Sequence, residues 1–204
     1  MKKRFGYLLM GLMAAGSLAA CQAEETPAVS ESDSAEVIEA EEGTEAAETA
    51  DADAVSRPTS SMGSTIEELN AAMTPEGAWV FGLTQDIVSD ADIVIDGNIH
   101  FSNDPSKDYQ RKIGLYRNDS DHNLVELYNL TAASITTSAD NTRLLGGEID
   151  GQKAVVTADI YVNAPGFILE GVELNGNIIF ATTEYADSLV VIDSVINGDM
   201  TVAE

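Results

Sequence analysis

From Ala78 onward the chain alternates short aliphatic runs with Gly, Asn and Asp. Runs of this kind, rich in β-branched residues and bounded by turn formers, read as strands. They are predicted at 79–83, 87–95, 99–101, 112–116, 124–130, 133–137, 143–149, 154–162, 167–174, 177–182, 189–196 and 200–202. Ahead of them, Ile66, Leu69 and Met73 fall on one face of a short helix. Ser64 and Glu67 have capping-box spacing at its start, and Thr74-Pro75-Glu76-Gly77 ends it. A one-sided helix must lie against something, and the first strands are the candidate. Residues 22–62 hold few large apolar side chains. They bury too little surface to offset their ordering entropy, so they read as a disordered acidic tether.

Four segments of the strand region look alike: Ile95-Asp96-Gly97-Asn98-Ile99, Ile149-Asp150-Gly151-Gln152, Leu174-Asn175-Gly176-Asn177-Ile178 and Ile196-Asn197-Gly198-Asp199-Met200. The last three glycines are 25 (151 to 176) and 22 (176 to 198) residues apart. Blocks beginning at Arg143, Ile168 and Val190 align, with Ile149, Leu174 and Ile196 at their seventh position. A fixed period of this length marks stacked repeats. It predicts an all-β chain, a single-stranded parallel β-helix or solenoid, with Asn-Gly and Asp-Gly at tight corners that need a left-handed residue. The rival is an antiparallel β-sandwich, because Asn-Gly and Asp-Gly are also hairpin signals. The constant phase favours the solenoid. Residues 102–123 break the period and read as an insertion on the working face.

Composition changes the picture at the N-terminus. Met1-Lys2-Lys3-Arg4 precedes an apolar run to about Ala20, the pattern of an export signal too short for a comfortable membrane span. The run ends Leu18-Ala19-Ala20-Cys21, which resembles the lipobox of bacterial lipoproteins. That resemblance implies cleavage before Cys21 and acylation (a palmitate-type anchor) of Cys21. It places the protein in the bacterial cell envelope, exposed outside the cytoplasm, with the membrane as a partner through its lipid. Cys21 is the sole cysteine, so no disulfide forms within one chain. The formal net charge is −25, which argues against nucleic acid and against charge-driven binding to anionic lipid. The expected plan is a signal peptide at 1–20, Cys21 and tether at 21–62, and a solenoid domain at 63–204 with its cap at 63–75.

Candidate chemistry is sparse. Tyr109, Arg111, Lys112, Tyr116 and Arg117 gather basic and aromatic groups on an acidic protein, the pattern of a site for an acidic sugar or carboxylate. Asp96, Asp150, Asp193 and Asp199 recur at the corners, with Arg143 and Lys153 as nearby cations. The fold signature resembles β-helix enzymes that cleave acidic polysaccharides, which implies acids and a base on one strand face. No catalytic motif supports it, so no catalytic residue is assigned. His100 and His122 lack partners at metal-ligand spacing, and Asp104, Asp108, Asp119 and Asp121 fit no calcium loop, so no metal and no cofactor is expected. The repeats around Asn175-Gly176 and Asn197-Gly198 resemble bactofilins, polymer-forming bacterial β-helix proteins. That resemblance implies end-to-end contact between copies. The expectation is a surface-anchored, non-catalytic scaffold or binding module that forms homo-oligomers through its C-terminal coil. A carbohydrate-active protein that binds or cleaves cell-envelope glycan is the alternative.

Overall fold

The computed structural model describes residues 58–203, and their backbone is mostly strand. The signal segment, Cys21 and nearly all of the tether lie outside the described residues. In chain order the elements are β1 (Ser60–Gly63), α1 (Ile66–Ala72), β2 (Val80–Leu83), β3 (Ile87–Val88), β4 (Ile93–Ile95), β5 (Arg111–Gly114), β6 (Tyr116–Asn118), β7 (Leu124–Leu127) and β8 (Leu130–Thr137). After them come β9 (Thr142–Leu145), β10 (Glu148–Ile149), β11 (Gln152–Val162), β12 (Ile168–Glu170), β13 (Val172–Asn175) and β14 (Ile178–Phe180). The last are α2 (Thr183–Asp187), β15 (Val190–Ile192), β16 (Val195–Ile196) and β17 (Met200–Val202).

Two parallel sheets carry the fold. The first runs β1-β2-β5-β9-β12-β15, every neighbour parallel. Val80 pairs Lys112, which pairs Arg143, then Ile168, then Val190. The interval therefore shrinks from 32 residues (80 to 112) to 22 (168 to 190) along the stack. The second sheet has two tracks. One runs β3-β8-β11-β13-β16, and the other β4-β8-β11-β14-β17. The antiparallel sandwich is excluded by this pairing. Among the described residues antiparallel contacts are confined to β6–β7, β10–β11 and a bridge between His100 and Tyr109.

Parallel stacking in register turns single residues into ladders. Phe81, Ile113, Leu144 and Leu169 form one, fully buried between the sheets. Ile93, Ile135, Ile160 and Ile178 form another. Each such side chain contributes roughly 1.5–3 kcal/mol of transfer free energy. At the Val80 end, α1 lays Ile66, Leu69 and Ala72 on this core, followed by Met73. Its capping box is one residue later than the spacing suggested. Thr65 Oγ1 accepts from the Glu68 amide at 3.2 Å, and the Glu68 carboxylate accepts from the amides of Ser64 and Thr65. Starting the helix there keeps Ile66 and Leu69 inward and Glu67 in solvent.

Two expectations about turns need correction. Ile149-Asp150-Gly151-Gln152 is not a corner between stacked strands. Ile149 pairs Gln152 antiparallel, with Asp150 at φ 53° and Gly151 at φ 79°. It is a two-residue hairpin of the kind that Asp-Gly favours. The true corners at Gly176 and Gly198 are not left-handed. A Cβ on Gly176 would lie 2.0 Å from the Ala158 carbonyl oxygen, and one on Gly198 would lie 2.1 Å from that of Gly176. Glycine is needed there because successive layers approach backbone to backbone. The segment 102–123 is also not one insertion. Arg111–Gly114 within it is a regular strand of the first sheet, and the projecting hairpin is β6–β7.

Candidate functional site

The five residues grouped as a binding patch separate in space, because successive side chains of a strand face opposite ways. Arg111 points inward and is completely buried. Its guanidinium donates to the carbonyls of Ala72 (3.1 Å), Thr74 (3.2 Å), Asp96 (2.7 Å) and Gly97 (2.9 Å). It clamps the C-terminal end of α1 to the Asp96–Gly97 turn and is not available to a ligand. Tyr109 lies elsewhere, its ring 4.3 Å from that of His100.

Lys112, Tyr116 and Arg117 do come together. They line a groove of about 580 Å³ on the outer face of β1, β2 and β5, walled by the β6–β7 hairpin. Lys112 Nζ stands 5.1 Å over the Trp79 ring. Burial first, and then the Arg143 charge, lowers its pKa, while Glu170 acts against them. Arg117 Nε donates to Glu126 Oε2 at 2.9 Å, and the Tyr128 hydroxyl donates to the same oxygen at 2.9 Å. These two donors, Arg117 the stronger, hold Glu126 below its ordinary value. Burial raises the Tyr128 hydroxyl, and its bond to Glu126 adds to this. Met62, Gly82, Gly114 and Tyr128 complete the groove and were not singled out by sequence. Only the strand register reveals that Met62, Gly82 and Gly114 face the same way.

The corner carboxylates do not assemble. Asp96 caps the Gly97 amide, Asp150 sits in the β10–β11 hairpin, Asp193 is a left-handed residue between β15 and β16, and Asp199 donates its amide to Asn177 Oδ1. Arg143 pairs with Glu170 at 3.4 Å, and Lys153 with Glu148 at 2.6 Å. Among the described residues no three His, Cys, Asp or Glu side chains are placed to hold a metal ion.

A second surface is formed by β15, β16 and β17. Each pairs on one side only among the described residues. The core ladders run out here: Leu169 is fully buried but its partner Val191 is 44% exposed, and Ile178 is buried but Met200 is 57% exposed. Phe180 and Val202 repeat the pattern. Comparison of the chain with protein-family models, with curated proteins and with solved structures gives no match.

Proposed function

We propose that this domain winds as a single-stranded parallel β-helix held at the bacterial cell envelope by a lipid on Cys21. Its work is non-catalytic: it is a scaffold that docks a second copy through β15, β16 and β17. The observation that carries this reading is the exposure of inward-facing ladder residues, Val191, Met200 and Val202, at strand edges that have no partner among the described residues. Such edges are templates for further pairing. A single extended peptide could cover one sheet edge. A second copy turned about a two-fold axis covers the edges of both sheets at once, the same surface meeting itself. The eight residues of these three strands carry no charge, in a chain of net charge −25.

The test is light scattering of the chain purified from membranes, over a range of protein and salt concentrations. Dimers are expected, more populated at high salt because screening weakens repulsion between the acidic copies. Val191→Lys combined with Met200→Lys is expected to give a monomer with an unchanged circular dichroism spectrum. A wild-type monomer under every condition refutes the docking. The anchor has its own test: Cys21→Ser moves the protein out of the membrane fraction, and retention there refutes lipidation.

A further inference from the structure

Gly82 and Gly114 are register partners across β2 and β5, and the fold gives no reason for either to be glycine. Neither has a left-handed backbone. A Cβ on Gly82 would lie 3.7 Å from Met62 Cγ, its nearest neighbour. One on Gly114 would lie 3.8 Å from the Phe81 carbonyl oxygen and from the Tyr116 ring. These are ordinary contacts. Every other described glycine either has a positive φ or would press a Cβ to within 2.6 Å of a neighbour. Glycine inside a strand weakens it, and where neither bulge nor bend nor another backbone demands it, the close approach of a ligand is the remaining reason to keep it.

The missing side chains leave a bare floor. The outward row of the first sheet reads Met62, Gly82, Gly114, Leu145. With strands about 4.8 Å apart, roughly 14 Å separates the two bulky ends. That is the width of one or two fused rings lying over half-buried Gly82, with buried Gly114 beside it. Met62 flanks the floor on one side and Tyr116 and Tyr128 on the other, and thioether and aromatic faces both favour an apolar ring. Lys112 faces the same way from the adjoining position of β5. Its ammonium lies over the Trp79 ring and feels the charges of Arg143 and Glu170, with no direct hydrogen bond or ion pair among the described residues, so it is a half-buried cation with a position left for an anion. The other groove cation, Arg117, is already neutralised by Glu126.

We infer that this groove binds a small carboxylate whose body is a flat apolar ring, the ring resting on Gly82 and Gly114 and the carboxylate meeting Lys112. The glycines give it room, the aromatic wall gives it a face, and the Lys112 ammonium selects its charge. This is independent of docking at β15–β17, which lies on other strands.

The test is ligand-observed nuclear magnetic resonance on the full chain with benzoate, benzamide and glucuronate, supported by emission from Trp79, the sole tryptophan. Benzoate is expected to saturate with Kd on the order of 1 mM, the range set by its few atoms. Benzamide, which lacks the charge, binds at least about tenfold more weakly, and glucuronate, studded with hydroxyls, does not compete. Gly114→Val fills the floor and Lys112→Met removes the cation. Both are expected to abolish benzoate saturation while the melting temperature is held or raised, which separates a lost site from a lost fold. The inference is overturned if benzoate does not saturate, if glucuronate binds as well as benzoate, or if either variant binds as the parent does.

Discussion

Replacing Arg111 by methionine tests the central claim that a buried cation joins α1 to the stack. The guanidinium is inaccessible to solvent and donates to four backbone carbonyls, with Met73 Sδ a further 3.7 Å contact. Desolvating it costs several kcal/mol, which those bonds must offset. Each bond from a charged donor is worth about 1.5–3 kcal/mol net. Methionine removes the costly charge along with the bonds, but the carbonyls of Ala72, Thr74, Asp96 and Gly97 stay. Three of those bonds are only partly buried, so water can reach some of the freed oxygens. At about 1–3 kcal/mol for each carbonyl left dry, the expected loss is about 3–5 kcal/mol, a large fraction of the roughly 5–15 kcal/mol typical of a domain. Arg111→Lys keeps the charge but cannot span the fork, and should lose less, about 1–3 kcal/mol. Urea unfolding followed by circular dichroism gives both values, and amide exchange shows whether α1 opens first. A loss under about 1 kcal/mol for Arg111→Met would refute the clamp.

Further outcomes follow from the same geometry. Gly82→Ala and Gly114→Ala should each stabilise the domain by about 0.5–1 kcal/mol in urea unfolding, since each Cβ fits and strand glycine is costly; destabilisation would show that the floor is structurally required. Thr65→Ala should cost about 1 kcal/mol through loss of the cap to Glu68, and no change would deny the observed capping box. Glu68, Asp104, Asp119 and Glu126 all have lowered pKa values, from the backbone amide of Ser64, the hydroxyl of Ser106, the backbone amide of Asn123 and the side chain of Arg117 respectively. At acid pH the unfolded chain therefore binds more protons, so their contribution is complete above the ordinary carboxylate range and is lost as pH falls through the folded values. Melting temperature should fall on acidification below about pH 4.5, and a flat profile between pH 6 and 2 would contradict those bonds.

Strand character was legible because β-branched runs and turn formers are local signals, and residues 143, 168 and 190, which began the aligned blocks, are partners in the first sheet. Where the reading failed, distant contacts decided. Asn175-Gly176 and Asp150-Gly151 are nearly the same letters, yet one is a corner packed on the layer below and the other a hairpin tip open to solvent. Nothing local separates them, because the difference lies in what passes beneath. The short helix α2 was missed for a related reason. Thr182 Oγ1 accepts from the Tyr185 amide, but five residues are too few for a periodic signal, and packing of Tyr185 and Ala186 on the core holds the turn in place.

Strand alternation alone divides the basic and aromatic patch. In Arg111-Lys112-Ile113-Gly114 a strand alternates, and Ile113 is the residue that belongs inside. Arg111 must then share its side, and Lys112 and Gly114 must share the other. Grouping Arg111 with Lys112 as one basic surface contradicts a strand through both. Burial is uncommon for an arginine, whose charge must be compensated. The structure compensates it with backbone oxygens. The C-terminal carbonyls of α1 and the Asp96–Gly97 turn present four acceptors to one planar donor, and the negative end of the helix faces the charge. Burying Arg111 thus leaves Lys112 as the cation that faces Gly114 and the groove, so the same alternation that removes one candidate from the surface places the other where an anion can meet it.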